Sequence, residues 1–373
     1  MKPLAYLKKY RIIDYDILLI LLVCALTVCG ILAIGNAEPA LRNKQIGGFA
    51  FGLVLMFFLS FIDYHLILRL YPLIYAGNLI LLLWVVLAGH ESHNAQRWIN
   101  LFGFTFQPSE TAKLLLILFY AQFIMKYKSK IKQFKFLMVL NLLLIPPLIL
   151  IVLQPDLSTS IMIALIFVTI LFIAGIHWKV VVTVLSVSVP MALWMIYTSL
   201  NGTNPFLQEY QQLRIRAWIY PEQYKDSIAY QTINSMMAIG SGQLYGKGYT
   251  TGEIASVLEA GFISESQTDF IFTVIGEEFG FIGATIVILL LFVISLKCML
   301  ISIRAKDMGG RVIAAGMAAW IGLQGFLNIG VACGVMPNTG IPLPFVSSGL
   351  TALISAFMGI GFVLNVRLQS RKY

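Results

Sequence analysis

The sequence predicts an all-α, polytopic membrane protein with about ten transmembrane helices and a long extracytoplasmic loop between spans seven and eight. Two observations carry this expectation. Hydrophobic residues make up 59% of the 373 and charged residues only 12%, which is more apolar surface than a water-soluble core absorbs. The apolar residues also come in runs of roughly 18 or more, each long enough to cross a hydrocarbon core of about 30 Å as a helix. Lipid offers backbone amides no partner, so such runs satisfy their own hydrogen bonds by coiling.

The ten runs fall near 15–35, 45–62, 68–89, 108–126, 136–153, 158–176, 179–199, 268–300, 310–335 and 345–366. The whole chain, 1–373, reads as one membrane domain whose long loop covers about 200–267. The first run is long and leads straight into the second, which predicts a retained span rather than a cleaved signal peptide. Cys24, Cys29, Cys298 and Cys333 are scattered through apolar runs without metal or redox spacing. They read as small apolar side chains.

Orientation follows from the connecting segments. Lys2, Lys8, Lys9 and Arg11 precede the first run; Lys126, Lys128, Lys130, Lys132 and Lys135 lie between the fourth and fifth; Arg304, Lys306 and Arg311 lie between the eighth and ninth; Arg367, Arg371 and Lys372 follow the tenth. Ten spans put all of them on one side, which the positive-inside bias makes cytoplasmic, with both termini there. The net charge of +9 is then mainly a topology signal, and no nucleic-acid partner is expected. The run at 126–135 reads as an orientation signal, with contact to anionic membrane lipids as the alternative.

The same count puts 90–107, 154–156, 200–267 and 336–345 outside, and most of the unusual polar residues belong to this set. Span four opens RWINLFGFTFQPSETAKL. Pro108 suits a first helical position and Glu110 a first turn, where the helix dipole favours an anion. Lys113 follows three residues on and shares a helix face with Glu110. These two are either a helix-end charge with a snorkelling lysine or a functional pair, because an unpaired charge inside a span costs roughly 3 kcal/mol. Asp269 in SESQTDFIFTVIGEEFG stands at the mouth of span eight, either as a helix cap or as a site carboxylate. Glu277 and Glu278 fall on other faces of that helix and read as interhelical hydrogen-bonding residues.

The long outer segment mixes Arg214, Arg216 and Lys247 with Trp218, Tyr220, Tyr224 and Tyr230, and 227–239 is expected to form an interfacial helix. GSGQLYGKG resembles a phosphate-binding loop only superficially. The spacing from Gly240 to Gly246 is one too long, Gly248 stands where Ser or Thr is required, and no strand precedes it. A glycine turn and a backbone-amide nest for the phosphate of a lipid carrier remain the two readings. PNTGIPLPFVSSGL carries three helix-breaking prolines before Ser347 and Ser348 open span ten. Irregular backbone at that depth implies a polar cavity. His90, Glu91 and His93 in GHESH lack a further convincing ligand and read as solvated loop residues. Two function classes survive: an enzyme acting on a lipid-linked substrate, and a transporter, for which paired broken helices in an internal repeat are expected but not evident.

RWINLFGFTFQPSETAKL, QPDLSTS, YQTINSMMAIGSGQLYGKGY, TDFIFTVIGEEFG and NTGIPLPFVSSGL, in this order and over essentially the whole chain, resemble the shape, elongation, division and sporulation family. IDYD, FIDY and the form of GSGQLYGKG are most similar to its elongation member. The resemblance implies a peptidoglycan glycosyltransferase that polymerises lipid II on the outer face of the cytoplasmic membrane, beside a class B penicillin-binding protein that crosslinks the strands. It implies that Asp269 is the essential acid and that Glu110 and Lys113 are the acid and lysine of the QPSE motif. Two departures stand out: Ser264 and Gln267 occupy the usual Pro and His positions of PExHTDF, and SSGL replaces SYGG.

Glycosyl transfer needs a base for the attacking hydroxyl and cationic or amide donors for the departing diphosphate. Asp269 is the expected base. Arg97, Lys113, Arg214, Arg216 and Lys247 are the candidate diphosphate holders, with Ser347 and Ser348 as further substrate contacts. A helix N-terminus would lower the Asp269 pKa and an apolar cavity would raise it. A divalent cation fits the chemistry, but no ligand set is visible in the sequence. A lipid II flippase, with Glu110 and Lys113 gating a headgroup path, and a non-catalytic scaffold for a transpeptidase are the alternatives.

Overall fold

A computed structural model describes residues 15–92, 95–101, 104–248 and 261–370. Lys2, Lys8, Lys9, Arg11, Arg371 and Lys372, with Asp14 of IDYD and His93, lie outside them. Each of the ten apolar runs is a helix: α1 (Ile17–Ala37), α2 (Pro39–Phe61), α4 (Tyr71–Ala88), α5 (Pro108–Lys126), α6 (Phe134–Leu153), α7 (Leu157–Ile173), α8 (Trp178–Leu200), α11 (Ile271–Arg304), α12 (Met308–Ala332) and α13 (Leu350–Ser370). Short helices α3 (Tyr64–Leu68), α9 (Glu209–Ile219) and α10 (Tyr230–Ser241) complete the set. Eight of the ten are long and apolar enough to cross a membrane. Of the other two, α7 has 17 residues and α5 carries Glu110 and Lys113 near its start.

Local chemistry sets the helix starts. Asp16, Asp156 and Asp307 accept backbone N–H bonds as N-caps of α1, α7 and α12, and Pro39 and Pro108 occupy early positions of α2 and α5, where no amide donor is needed. Phe51, Phe58, Leu87, Phe134 and Phe292 are exposed while Gln45, Glu110, Lys113, Gln324 and Asn328 are buried. That inversion of the soluble-protein pattern suits a lipid surround. α12 is the central helix, touching α5, α7, α11 and α13. α2 and α13 pack closely because Gly48 and Gly52 lie against Leu350 and Phe357.

Three features depart from the sequence expectation. The segment 90–107 is not simply a loop: β1 (His90–Ser92), β2 (Ala95–Leu101) and β3 (Phe104–Phe106) form an antiparallel sheet in the order β1-β2-β3, with Ser92 opposite Ala95 and Ile99 opposite Phe106. The long segment holds α9 as well as α10, a helix over most of the stretch 227–239 where one was expected. The third departure is in α11, whose helical path breaks at Gly280 (φ 62°, ψ −161°), a region open essentially to glycine alone. The GSGQLYGKG segment lies across the break. Lys247 N and Gly248 N donate to the carbonyls of Glu277 and Glu278 at 2.9 and 3.1 Å, while Phe281 N and Ile282 N donate to those of Gln243 and Leu244 at 2.8 and 3.2 Å. The Lys247 and Gly248 amides are spent on the broken helix and that of Gly246 on Gly242 O at 2.7 Å, which counts against the phosphate-nest reading. The stretch 281–304 is about 36 Å long at 1.5 Å per residue, enough to span by itself. The half-helix before the break is thereby left free to shape the site.

Candidate functional site

A cavity of about 520 Å³ opens at the bundle end that carries the sheet. Its walls come from the start of α2, from β2, from the first turns of α5, α7 and α13, from α9, and from the irregular segments before α11 and after α12. Asp269 enters it from the turn before α11. Phe270, not Asp269, is the N-cap of that helix and no side chain caps it, so the capping alternative for Asp269 falls. Asn328 Nδ2 holds the Asp269 carbonyl at 2.7 Å, while its carboxylate has no hydrogen-bond partner among the described residues. Gly340 (φ 66°) stands where any side chain would bring its Cβ within 3.2 Å of Asp269 Oδ2. The residue is half-buried and lines the cavity. Burial and then the neighbouring Glu265 push its pKa up to about 6, with Asp156 adding to the rise, against the opposing pull of Arg214 and Arg97.

The two arginines are aimed by backbone carbonyls. Arg97 Nε donates to Gln154 O at 3.2 Å and its Nη2 to Pro155 O; Arg214 Nη1 donates to Asn338 O at 3.2 Å. Both line the cavity, as do Glu110 and Ser348. Ser348 N also donates to Gln267 O at 2.9 Å, so the residue at the usual His position supplies a backbone tie here.

The remaining candidates are elsewhere. Lys113 is buried with all three ammonium donors engaged, at 2.8 and 2.9 Å to the Glu110 oxygens and 2.7 Å to Gln324 Oε1, and it lies 5.0 Å from the Trp320 ring centroid. This cluster underlies Glu110 rather than facing the cavity. Lys247 pairs with Glu277 at 2.6 Å at the helix break, and Glu278 accepts from Asn36. Arg216 Nε donates to Ser199 O at 2.7 Å, tying α9 to α8. Ser347 Oγ donates to Thr268 O at 2.5 Å and accepts from Leu343 N at 2.7 Å, bracing the turn beside Asp269. Lys44, Asp156 and Glu265 also line the cavity and were not singled out from the sequence. Asp156 and Glu265 were within quoted motifs, and an acid four residues before Asp269 was a signal that spacing offered. Among the described residues no group of three or more His, Cys, Asp or Glu side chains forms a metal-ligand set.

The comparisons with known proteins bear on this arrangement. The model of the cell cycle protein family named for FtsW, RodA and SpoVE matches residues 10–372. The chain belongs to this family. Among relatives of this FtsW/RodA/SpoVE protein, the peptidoglycan glycosyltransferase MrdB of Escherichia coli (strain K12) is 35% identical over 365 residues, covering 96% of this chain and 94% of MrdB. A probable peptidoglycan glycosyltransferase FtsW of Trichlorobacter lovleyi is 33% identical over 378 residues, with the same coverage of 96% and 94%. Two solved structures share the fold over 96% of this chain and 98% of their own. The rod shape determining protein RodA of Thermus thermophilus is 27% identical with a TM-score of 0.69, and a chain of a peptidoglycan synthase complex that coordinates polymerization and crosslinking is 28% identical with a TM-score of 0.78.

Proposed function

We infer that this protein is a peptidoglycan glycosyltransferase that polymerises lipid II for cell elongation, working at the outer face of the cytoplasmic membrane with both termini inside. The observation that carries the reading is Asp269, an unpartnered carboxylate in a cavity that also holds Arg97 and Arg214, within a chain 35% identical to a peptidoglycan glycosyltransferase. The sheet end is then the outer end.

In the reaction the 4-hydroxyl of the acceptor GlcNAc attacks the anomeric carbon of the donor MurNAc. Asp269 takes the hydroxyl proton as the new O4–C1 bond forms. The bond from that carbon to the diphosphate oxygen breaks, and the electron pair leaves on undecaprenyl diphosphate, giving inversion. With its pKa at about 6, Asp269 is still largely ionised at pH 7 and is a stronger base than an ordinary carboxylate. Lys113 acts from below by holding Glu110 in place, and Arg97 and Arg214 offer charge to sugar-peptide or phosphate groups. A class B penicillin-binding protein is the proposed partner, in keeping with the synthase complex whose chain shares this fold.

The test is polymerisation of labelled lipid II by the purified protein with such a partner, resolved by glycan length. Wild type is expected to make long glycan, and a folded, partner-bound Asp269→Ala variant none. Equal glycan from both removes Asp269 from the chemistry.

A further inference from the structure

An inverting displacement has a direction. The base and the departing diphosphate lie on opposite faces of the anomeric carbon, so the cation that receives the diphosphate stands across the cavity from Asp269. Lys113, Lys247 and Arg216 are bound elsewhere. Three cations among the described residues line the cavity: Lys44, Arg97 and Arg214. Arg97 and Arg214 act electrostatically on Asp269 and are tethered to carbonyls, which puts them on the base's side.

Lys44 comes from a different wall, the start of α2. It is exposed and makes no hydrogen bond or ion pair with a described residue. Next to it in sequence, buried Gln45 donates through Nε2 to Ser347 O at 3.2 Å, anchoring this turn of α2 to the one that braces Thr268. Leu41, one helical turn earlier, lines the cavity with Leu350 and Ala352 from α13, and Leu350 lies against Gly48, one turn after Lys44. Beyond it α2 presents exposed Phe51 and Phe58 where the bundle meets lipid. A cation set among apolar residues at that edge suits a ligand with a charged head and a hydrocarbon tail.

We propose that Lys44, at the start of α2, receives the departing diphosphate of the polyprenyl-linked donor, with the prenyl chain remaining in the lipid along α2. This rests on the polymerase reading above and adds the place of the leaving group. Lys44 thereby divides the cavity into a donor side at α2 and an acceptor side at Asp269 and the arginines.

The experiment uses the full chain with its class B partner in vesicles of uncharged phosphatidylcholine, comparing wild type, Lys44→Ala and Lys44→Arg. Initial rates are measured against lipid II concentration and against added undecaprenyl diphosphate, and direct binding of undecaprenyl diphosphate is measured on the same samples. Loss of one charge-assisted phosphate contact predicts that Lys44→Ala lowers kcat/KM about tenfold and weakens product inhibition by about the same factor, while Lys44→Arg keeps both within about threefold. A Lys44→Ala protein that polymerises and is inhibited like wild type overturns the proposal. So does an effect that appears only when anionic lipid is added, which assigns Lys44 to bulk headgroups. If wild type makes no glycan, the polymerase reading falls. Lys44 is then judged by binding alone, and equal binding to wild type and Lys44→Ala overturns it.

Discussion

The base we propose, Asp269, owes its strength to where it is put. A carboxylate free in water near its usual pKa is a poor proton acceptor at pH 7, and burial beside Glu265 moves Asp269 up to about 6. The rate is therefore expected to fall as pH drops through about 6, since protonated Asp269 cannot accept. Glu265 contributes to the rise through its charge, with its Oε2 held at 2.9 Å by Thr268 Oγ1. Glu265→Gln removes that repulsion, and the acid limb of the profile is expected to move to lower pH. The measurement is the initial polymerisation rate from pH 5 to 8 for both proteins. A limb that does not move shows that Glu265 leaves Asp269 untouched. Residue identity at this scale was largely legible: Glu110 and Lys113 share a face by their spacing alone. What spacing withheld was Gln324, which completes the Lys113 shell from 211 positions along the chain, because only tertiary packing brings it there.

At the scale of elements, the ten helices were legible because lipid leaves an apolar run of that length one way to satisfy its backbone. The sheet was not, because its strands have 3, 7 and 3 residues and so few positions carry almost no period. The break in α11 was hidden for a different reason. Its apolar pattern runs on through Gly280, and the groups that repair the break come from 243–248, in a segment whose glycines suggested a phosphate loop. The break matters for the site because the half-helix starting at Ile271 follows directly from Asp269, while the loop across it carries Lys247 to Glu277. A side chain at Gly280 would need a backbone conformation that non-glycine residues avoid, and its Cβ would run into Gly246 N and come within 2.8 Å of Leu244. Gly280→Ala is expected to cost about 3 kcal/mol or more of stability and to reduce glycan synthesis along with it. Thermal unfolding of the purified protein checks the first, and a wild-type midpoint would show that the splice tolerates a regular helix.

Across the whole molecule the two ends of the bundle are built for opposite purposes. The end we assign to the outside holds an unpartnered acid, positive backbone angles at Gly340 and Phe345, and a cavity. The end we assign to the cytoplasm is tied by fully engaged polar groups. His65 lies between Asp63 and Asp307, at 2.8 Å from Nδ1 and 2.7 Å from Nε2. Tyr64 Oη donates to Asp307 Oδ2 at 2.6 Å, Gln369 Nε2 to Asp63 Oδ1 at 2.8 Å, and Lys297 reaches Asp16 at 3.0 Å. These contacts join α1, α3, α11, α12 and α13. Burial alone would raise the Asp307 pKa, but hydrogen bonds from His65, Tyr64 and the Gly310 amide outweigh it and hold it down at about 2. The bond to Asp307, partly offset by burial, raises that of His65, with Asp63 adding to the rise. The stability Asp307 supplies is therefore complete above its unfolded value near 3.8 and lost as pH falls toward 2; that of His65 is complete below 6.5 and lost as pH rises through its higher folded value. Asp307→Ala removes the α12 cap and two side-chain partners at once and is expected to cost about 2 kcal/mol at pH 6, while glycan synthesis per folded molecule stays near wild type. The gap in unfolding midpoint between the two proteins should narrow from pH 6 to pH 9 as His65 loses its charge. A gap that holds constant over that range would mean that packing, rather than the charged clip, joins the helices at this end.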